Sequence, residues 1–107
     1  MIQRRMTQNR HTDIAKILNH YGRENQLLKS IEELDELKDA IRKERTADTL
    51  DNYDYDAKSE IMTEIADVFI MCEQLRLMHK ISLCELDKEI NYKVDRQLKR
   101  MKEKKND

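Results

Sequence analysis

The chain has 107 residues, a length that predicts one folded domain spanning 1–107. Charged residues make up 40% of it and hydrophobic ones 38%, yet the net charge is only -1 at pH 7. This balance excludes a self-repelling disordered chain, and it argues against nucleic-acid binding, which favours a basic domain. One glycine and no proline leave few turn signals between strands, so the composition favours an all-α fold.

The first predicted helix covers about 12–21. Thr12 is a suitable N-cap, and Gly22 follows the last helical residue, where a left-handed conformation is common. The second helix covers about 24–45, and its apolar residues return every three or four positions along one stripe. We expect this stripe to be buried. It consists of Leu27, Leu28, Ile31, Leu34, Leu37 and Ile41.

A polar, aspartate-rich stretch, TADTLDNYDYD, is predicted to form a loop after the second helix. Asp54 or Asp56 within it is a suitable cap for a third helix over about 57–79. The fourth helix opens with Ser82 and Glu85, at the spacing of a capping box, and continues toward a lysine-rich end.

Four helices with short connections favour an antiparallel four-helix bundle, with frayed ends at 1–11 and 102–107. A small and highly charged domain buries little core alone, so we expect self-association as a homodimer or homotetramer. The longest apolar-rich run, 61–78, holds four charged residues, which argues against a membrane partner. The beginning of the chain lacks the apolar segment of a secretory signal, and the two cysteines match no metal-binding spacing. We therefore expect reduced, buried thiols and a cytoplasmic location.

The second helix carries four carboxylates in the segment KSIEELDELKDAI. On an ideal helix Glu33 and Glu36 fall on one flank of the apolar stripe, whereas Glu32 and Asp35 fall on the other. For this segment alone, solvated ion pairs with neighbouring lysines are the more ordinary explanation. Lys29 lies one turn before Glu33, where it could contact phosphate or simply pair with Glu33.

Glu64 and Asp67 lie one turn apart on the third helix, whose apolar residues cover nearly its whole circumference. Burying one unpaired carboxylate costs several kcal/mol, on the order of the net stability of a small domain. Two explanations stay open, which are structural salt bridges and a bound metal ion. Acids at i,i+3 on two packed helices suit Mg²⁺, with Mn²⁺ as an alternative ion.

The two acidic motifs resemble the signature of the MazG-type all-α nucleoside triphosphate pyrophosphohydrolases. That signature is E-E-x-x-E followed, one to three dozen residues later, by E-x-x-D. Here EELDE at 32–36 and EIAD at 64–67 match it in order and spacing. The stretch NYKVDR at 91–96 is similar to a family segment with asparagine, lysine and arginine at these intervals.

The resemblance implies a Mg²⁺-dependent enzyme that hydrolyses a nucleoside triphosphate, ribo or deoxy, to the monophosphate and pyrophosphate. Water would attack the α-phosphorus, activated by the metal. The implied metal ligands are Glu33, Glu36, Glu64 and Asp67. Glu32 would orient water or the ligands, although it points to the opposite flank of the helix.

Substrate contacts are less closely specified by the sequence. The resemblance implies that Asn91, Lys93 and Arg96 contact the substrate. Lys93 and Arg96 lie on one flank of the fourth helix, and for these two cations a purely solvated surface position is an equally open explanation. For three residues around the end of the first helix, two roles stay open: contact with a nucleobase, or packing or a surface position without a function. These are His20, Tyr21 and Gln26.

The alternative function is a non-catalytic helical interaction module. In that case the acids form structural salt bridges and the apolar third helix is only a dimer interface. This alternative requires Glu64 and Asp67 to meet arginines or lysines rather than the acids of the second helix.

Overall fold

The computed structural model describes the backbone of residues 8–50 and 56–105, and the side chains of 9–47 and 56–104. Over these residues the chain is helical and contains no strand, which confirms the all-α prediction for this part of the protein. Within it, no helix combines the length and apolarity needed to cross a membrane. The helices are α1 (Gln8–Tyr21), α2 (Arg23–Leu50), α3 (Ala57–Met78) and α4 (Leu83–Lys105).

Helix α1 begins earlier than predicted, at Gln8, so Thr12 lies inside the helix and its prediction as the N-cap is wrong. An ion pair between Arg10 and Asp13, at 3.3 Å, links neighbouring turns and supports this longer start. The end of α1 is as predicted. Gly22 has a φ of 89° and donates its N–H to the carbonyl of Leu18 at 2.8 Å, which closes the helix.

Helix α2 continues to Leu50, so 46–50 are helical and the predicted loop is wrong over these residues. Thr46 accommodates the helix because its hydroxyl donates to the carbonyls of Arg42 and Lys43, at 3.2 and 3.1 Å. The rest of the predicted loop, 51–55, lies outside the described residues.

The caps of α3 and α4 were predicted from the sequence. Asp56 accepts a hydrogen bond from the backbone N–H of Ser59 at 3.1 Å, whereas Asp54 lies outside the described residues. Ser82 and Glu85 exchange backbone-to-side-chain hydrogen bonds at 3.0 Å in both directions, as a capping box requires.

Helices α1, α2 and α3 pack against one another, and the most extensive contact is between α2 and α3. Hydrogen bonds join α2 to α3 at residue pairs 43–60, 30–71 and 26–74, so residue numbers rise along α3 as they fall along α2. This opposed pairing brings the middle of one helix next to the middle of the other. The acidic motifs of both helices lie in that middle.

The face of α2 that is buried is not the apolar stripe. Leu28 and Ile31 in the stripe are each 59% exposed, so the expectation that the stripe is buried is wrong for most of its residues in the single chain. Small and polar residues allow α3 to approach α2 closely on the flank that carries Glu33. The buried residues of α2 are Gln26, Ser30, Glu33, Ala40 and Ala47.

Helix α4 makes no extended contact with the other three helices. The radius of gyration is accordingly 17.3 Å, against roughly 13 Å for a compact chain of similar length. The apolar side chains of Val94, Leu98 and Met101 are exposed along α4. The described parts of the predicted frayed ends, 8–11 and 102–105, are helical, and both cysteines are free and exposed rather than buried.

Candidate metal centre

Four carboxylates from two helices meet at the centre of the α2–α3 contact. Glu33 and Glu36 come from α2, and Glu64 and Asp67 come from α3. One oxygen from each lies within 4.8 Å of the others, and we call these four residues the acidic cluster. Each helix contributes a pair at i,i+3, so both acids of a pair project from one face. The opposed pairing of the helices turns those two faces toward each other.

The cluster lacks the partners that buried carboxylates normally have. Glu33 is only 7% exposed, and its Oε2 atom has no hydrogen-bond partner among the described residues. In the same part of the chain, the Oε2 atom of Glu64 is also buried without a partner. An unsatisfied buried polar atom costs about 1–3 kcal/mol, more when it is charged. Two such oxygens within a group of four carboxylates favour a site that is completed by a cation.

Repulsion within the cluster is visible at Glu36. The neighbouring Glu33 carboxylate raises the pKa of Glu36, and loss of hydration beside neighbouring side chains, a hydrogen bond with Glu33 and the charge of Glu64 raise it further. A carboxyl group that resists ionisation beside other carboxyl groups indicates a local excess of negative charge. A divalent cation would remove that excess.

Among the described side chains, Lys29 is the one cation paired with a cluster carboxylate. Its Nζ atom lies 3.2 Å from Glu33 Oε1 and 3.6 Å from Glu32 Oε2. The hydrogen bond to Glu33 and the charges of both glutamates raise the pKa of Lys29. Lys29 is exposed at the edge of the cluster, so its position is compatible both with pairing to Glu33 and with contact to a phosphate.

Glu32 does not belong to the cluster. Its side chain is exposed and its carboxylate faces Lys29 on the outer surface of α2, as the helical count predicted. The structure therefore separates the first glutamate of EELDE from the second and the last. A role for Glu32 in orienting a ligand would have to act through Lys29.

The predicted substrate contacts on α4 are not brought to the cluster within one chain. Asn91, Lys93 and Arg96 are all exposed, and α4 is not among the helices that pack against α2 or α3. Lys93 lies 3.9 Å from Glu89, and the guanidinium of Arg96 lies 5.6 Å from the ring centre of Tyr92. These contacts stay within α4.

A cavity of about 520 Å³ lies beside the cluster between α1, α2 and α3. Two cluster acids, Glu33 and Asp67, form part of its wall, so the cavity and the candidate metal centre are continuous. Its size falls within the range of small-molecule sites. The other polar residues of its wall are Tyr21, Asn25, Gln26, Lys29 and Gln74.

A second buried acid, Glu73, was not singled out from the sequence. It is 4% exposed, and both of its oxygens accept hydrogen bonds from Arg76 while His11 bonds to Oε1 at 2.9 Å. Burial alone would raise the pKa of Glu73, but the hydrogen bonds from Arg76 and His11 outweigh burial and lower it. Arg76 also donates to the carbonyl of Ile81 at 2.8 Å. The sequence feature that could have indicated this ion pair is the i,i+3 spacing of Glu73 and Arg76.

The donor set of the cluster fits a hard divalent cation. Carboxylate oxygens are the preferred protein ligands of Mg²⁺, and two of them here are buried with no hydrogen-bond partner in the part of the chain that the structure describes. Comparisons with known proteins add no assignment, since no protein-family model, curated protein or solved structure matches the chain.

Proposed function

We propose that the protein is a Mg²⁺-dependent nucleoside triphosphate pyrophosphohydrolase, as the resemblance to the MazG-type enzymes implies. The observation that carries the proposal is the acidic cluster with its unpartnered buried oxygens. The product pair would be a nucleoside monophosphate and pyrophosphate. The cavity beside the cluster, of small-molecule size, supports a nucleotide substrate.

Each part of the site has a task in this proposal. The acidic cluster would hold Mg²⁺, or Mn²⁺ in its place, and the ion would neutralise phosphate charge and activate water. Lys29, exposed at the edge of the cluster, would contact a phosphate oxygen when Glu33 binds the metal ion instead of pairing with Lys29. The α2–α3 packing fixes both acid pairs in advance, so little reorganisation is needed when a charged substrate binds.

The non-catalytic interaction module is supported less well. It requires Glu64 and Asp67 to form salt bridges with arginine or lysine, and neither does so among the described residues. Instead both face the carboxylates of α2. The chain does build a structural ion pair around a buried acid, and it does so at Glu73.

The proposal includes self-association into an antiparallel helical assembly, as a homodimer or homotetramer. Two unpartnered apolar surfaces support it, one on α2 around Leu28 and Ile31 and one on α4 around Leu98. Helix α4 is also basic where α2 is acidic. Docking of α4 onto a second copy would bury these surfaces and would provide a route for Lys93 and Arg96 to approach a site.

The central test is a substrate panel. Purified protein is incubated with ribo- and deoxyribonucleoside triphosphates and Mg²⁺, and pyrophosphate and phosphate are scored separately. We expect pyrophosphate release that EDTA abolishes. Glu64→Gln and Asp67→Asn should each lower turnover by about a hundredfold or more, because each removes a metal ligand. Asp35→Asn is the matched control, since Asp35 is an exposed acid of α2 that pairs with Lys38 on the surface.

Full activity of both cluster variants would refute the site assignment. A protein that releases no product from any triphosphate, and whose folding stability ignores Mg²⁺, would favour the interaction module. Assembly is tested by sedimentation. Leu98→Lys should lower the molar mass toward that of the monomer, while Gln97→Lys, at the preceding position of α4, should not.

A further inference from the structure

Two consecutive glutamates share one lysine at the edge of the acidic cluster. The Nζ atom of Lys29 lies 3.2 Å from Oε1 of Glu33 and 3.6 Å from Oε2 of Glu32. The two acids follow Lys29 by four and three positions, so one turn of α2 presents both carboxylates to the same ammonium. The side chain of Glu33 is 9% exposed, whereas that of Glu32 is 58% exposed. Lys29 therefore has one buried and one solvated partner.

The buried partner is the one that a cation in the cluster would also use. Glu33 belongs to the acidic cluster, and its Oε1 atom pairs with Lys29. Its Oε2 atom is buried and has no hydrogen-bond partner in the described part of the chain. A divalent ion bound by this carboxylate would lie close to the ammonium, and like charges at short range repel each other. Lys29 and the ion therefore compete for Glu33.

The solvated partner gives the displaced lysine a second carboxylate. The side chain of Lys29 is 46% exposed and has a flexible four-carbon stem, so it can change rotamer without disturbing the core. A small shift is enough to pair it with Glu32, whose Oε2 atom is already 3.6 Å away. Glu32 lies outside the cluster, so its influence on a bound cation acts through Lys29.

We propose that Lys29 and Glu32 together set the affinity of the acidic cluster for divalent cations. Lys29 neutralises Glu33 when no metal is bound and moves to Glu32 when a cation binds, which keeps the ammonium at the edge of the cluster. The inference rests on the proposed function, since it takes the cluster to be the metal site. Lys29 and Glu32 are positioning residues, because neither contacts the ion. The first glutamate of EELDE thereby acquires a task away from the metal.

A double-mutant cycle on Mg²⁺ affinity, measured by calorimetry without nucleotide, tests the proposal. We expect Lys29→Met to bind Mg²⁺ about tenfold more tightly, because the competing charge is gone. Glu32→Gln should bind it about threefold more weakly, because Lys29 then pairs with Glu33 alone. Lys38→Met is the matched control, since Lys38 is an exposed lysine of α2 that pairs with Asp35 at 3.1 Å. It should change the affinity by less than about twofold.

The double variant separates an effect through Lys29 from a direct effect of the Glu32 charge. If Glu32 acts through Lys29, the double variant should bind Mg²⁺ as tightly as Lys29→Met alone. A weakening by Glu32→Gln that persists in the Lys29→Met background would show that Glu32 acts on the ion directly, and it would overturn the inference. Unchanged or weaker Mg²⁺ binding by Lys29→Met would overturn it as well.

Thermal melting in EDTA and in Mg²⁺ provides a second readout, because a tighter ion adds more stability at the same concentration. Lys29→Met should therefore gain more from Mg²⁺ than the wild type gains. Hydrolysis by the wild type, with a Mg²⁺ affinity that Lys29→Met leaves unchanged, would overturn the inference and leave the enzyme proposal intact. The expected cycle in a protein that hydrolyses no triphosphate would support the inference and reject the enzyme. Absence of Mg²⁺ binding in every variant would overturn both.

Discussion

Helix α3 contributes acids to two sites that differ in the partners of their carboxylates. At Glu73 the carboxylate meets Arg76 and His11, and both of its oxygens are hydrogen-bonded. At the acidic cluster, which begins about 1.7 turns away at Asp67 and reaches about 2.5 turns away at Glu64, both residues meet the acids of α2 instead. The pKa of Glu73 is lowered, whereas that of Glu36 in the cluster is raised.

The difference separates an acid whose charge is compensated from acids whose charges are largely uncompensated among the described side chains. Glu73 ties α1 to α3 through His11, and its charge is already compensated. The cluster concentrates negative charge that only Lys29 offsets among the described side chains, and that lysine is exposed. The same substitution should therefore have opposite effects on stability in the two places.

The largest effect is expected at the ion pair. Glu73→Gln should lower the free energy of unfolding by about 3 kcal/mol, because it removes the charge that compensates a partly buried arginine. Urea unfolding followed by circular dichroism measures this change, with Glu32→Gln as an exposed control. A loss below about 1 kcal/mol would show that the ion pair does not stabilise the fold.

Metal binding should produce the second largest effect, at the cluster alone. Mg²⁺ at a hundred times its dissociation constant should stabilise the wild type by about 2.7 kcal/mol, and EDTA should reverse the gain. Thermal melting with and without the ion measures it. Glu73→Gln should keep the gain and Glu64→Gln should lose most of it. Equal gains in the two variants would place the ion somewhere other than the cluster.

Lowering the pH should weaken the ion pair of Glu73 by protonating its carboxylate, whose pKa is lowered by its partners. The ion pair contributes stability above the ordinary glutamate value of 4.5, and this contribution is lost as the pH falls below that value. The stability difference between the wild type and Glu73→Gln should shrink as the pH falls below 4.5. Denaturant unfolding across this pH range measures it. A difference that widens in acid would contradict the lowered pKa.

A smaller change of opposite sign is expected when the cluster loses one charge. Without metal, Glu64→Gln should raise the free energy of unfolding by about 1 kcal/mol, because it reduces repulsion among the four acids. The measurement is urea unfolding in EDTA, beside the exposed-site control Asp35→Asn. Destabilisation by Glu64→Gln would mean that the Glu64 charge has a stabilising partner.

The smallest effect is expected at Glu32. Its carboxylate lies outside the cluster and shares Lys29, so Glu32→Gln should change turnover by less than about threefold. Glu33→Gln, one position along, should lower turnover by about a hundredfold because it removes a proposed ligand. Steady-state assays of Glu32→Gln and Glu33→Gln measure turnover for one acid on each flank of α2. A large loss at Glu32 would restore the orienting role that the family resemblance implies.

Local rules were sufficient for much of the fold and for the composition of the cluster. Gly22, the Asp56 cap and the Ser82–Glu85 capping box follow from short-range hydrogen bonding, and all three occur as predicted. Helical geometry also separated Glu33 from Glu32 correctly. Helix ends were less predictable. The hydroxyl of Thr46 donates a hydrogen bond to a backbone carbonyl of the preceding turn, and α2 continues through part of the expected loop.

Packing could not be deduced in the same way. The apolar stripe of α2 predicted a buried face, but α3 packs on the flank with Ala40 and Ala47, where small side chains allow close approach. The Gln26–Gln74 pair and the His11–Glu73 contact join residues 48 and 62 positions apart, and no local pattern specifies such partners. The exposed position of α4 is likewise a property of the tertiary structure.

The sequence by itself determined the helices, their caps and which acids share a helix face, because those features depend on neighbours within one or two turns. Only the tertiary structure decided that the two acid pairs face each other and that Glu73 is compensated. It also decided that Gln74 is buried with a free N–H. The reason is physical, since the charge and hydrogen-bonding state of a buried group depends on the helix packed against it.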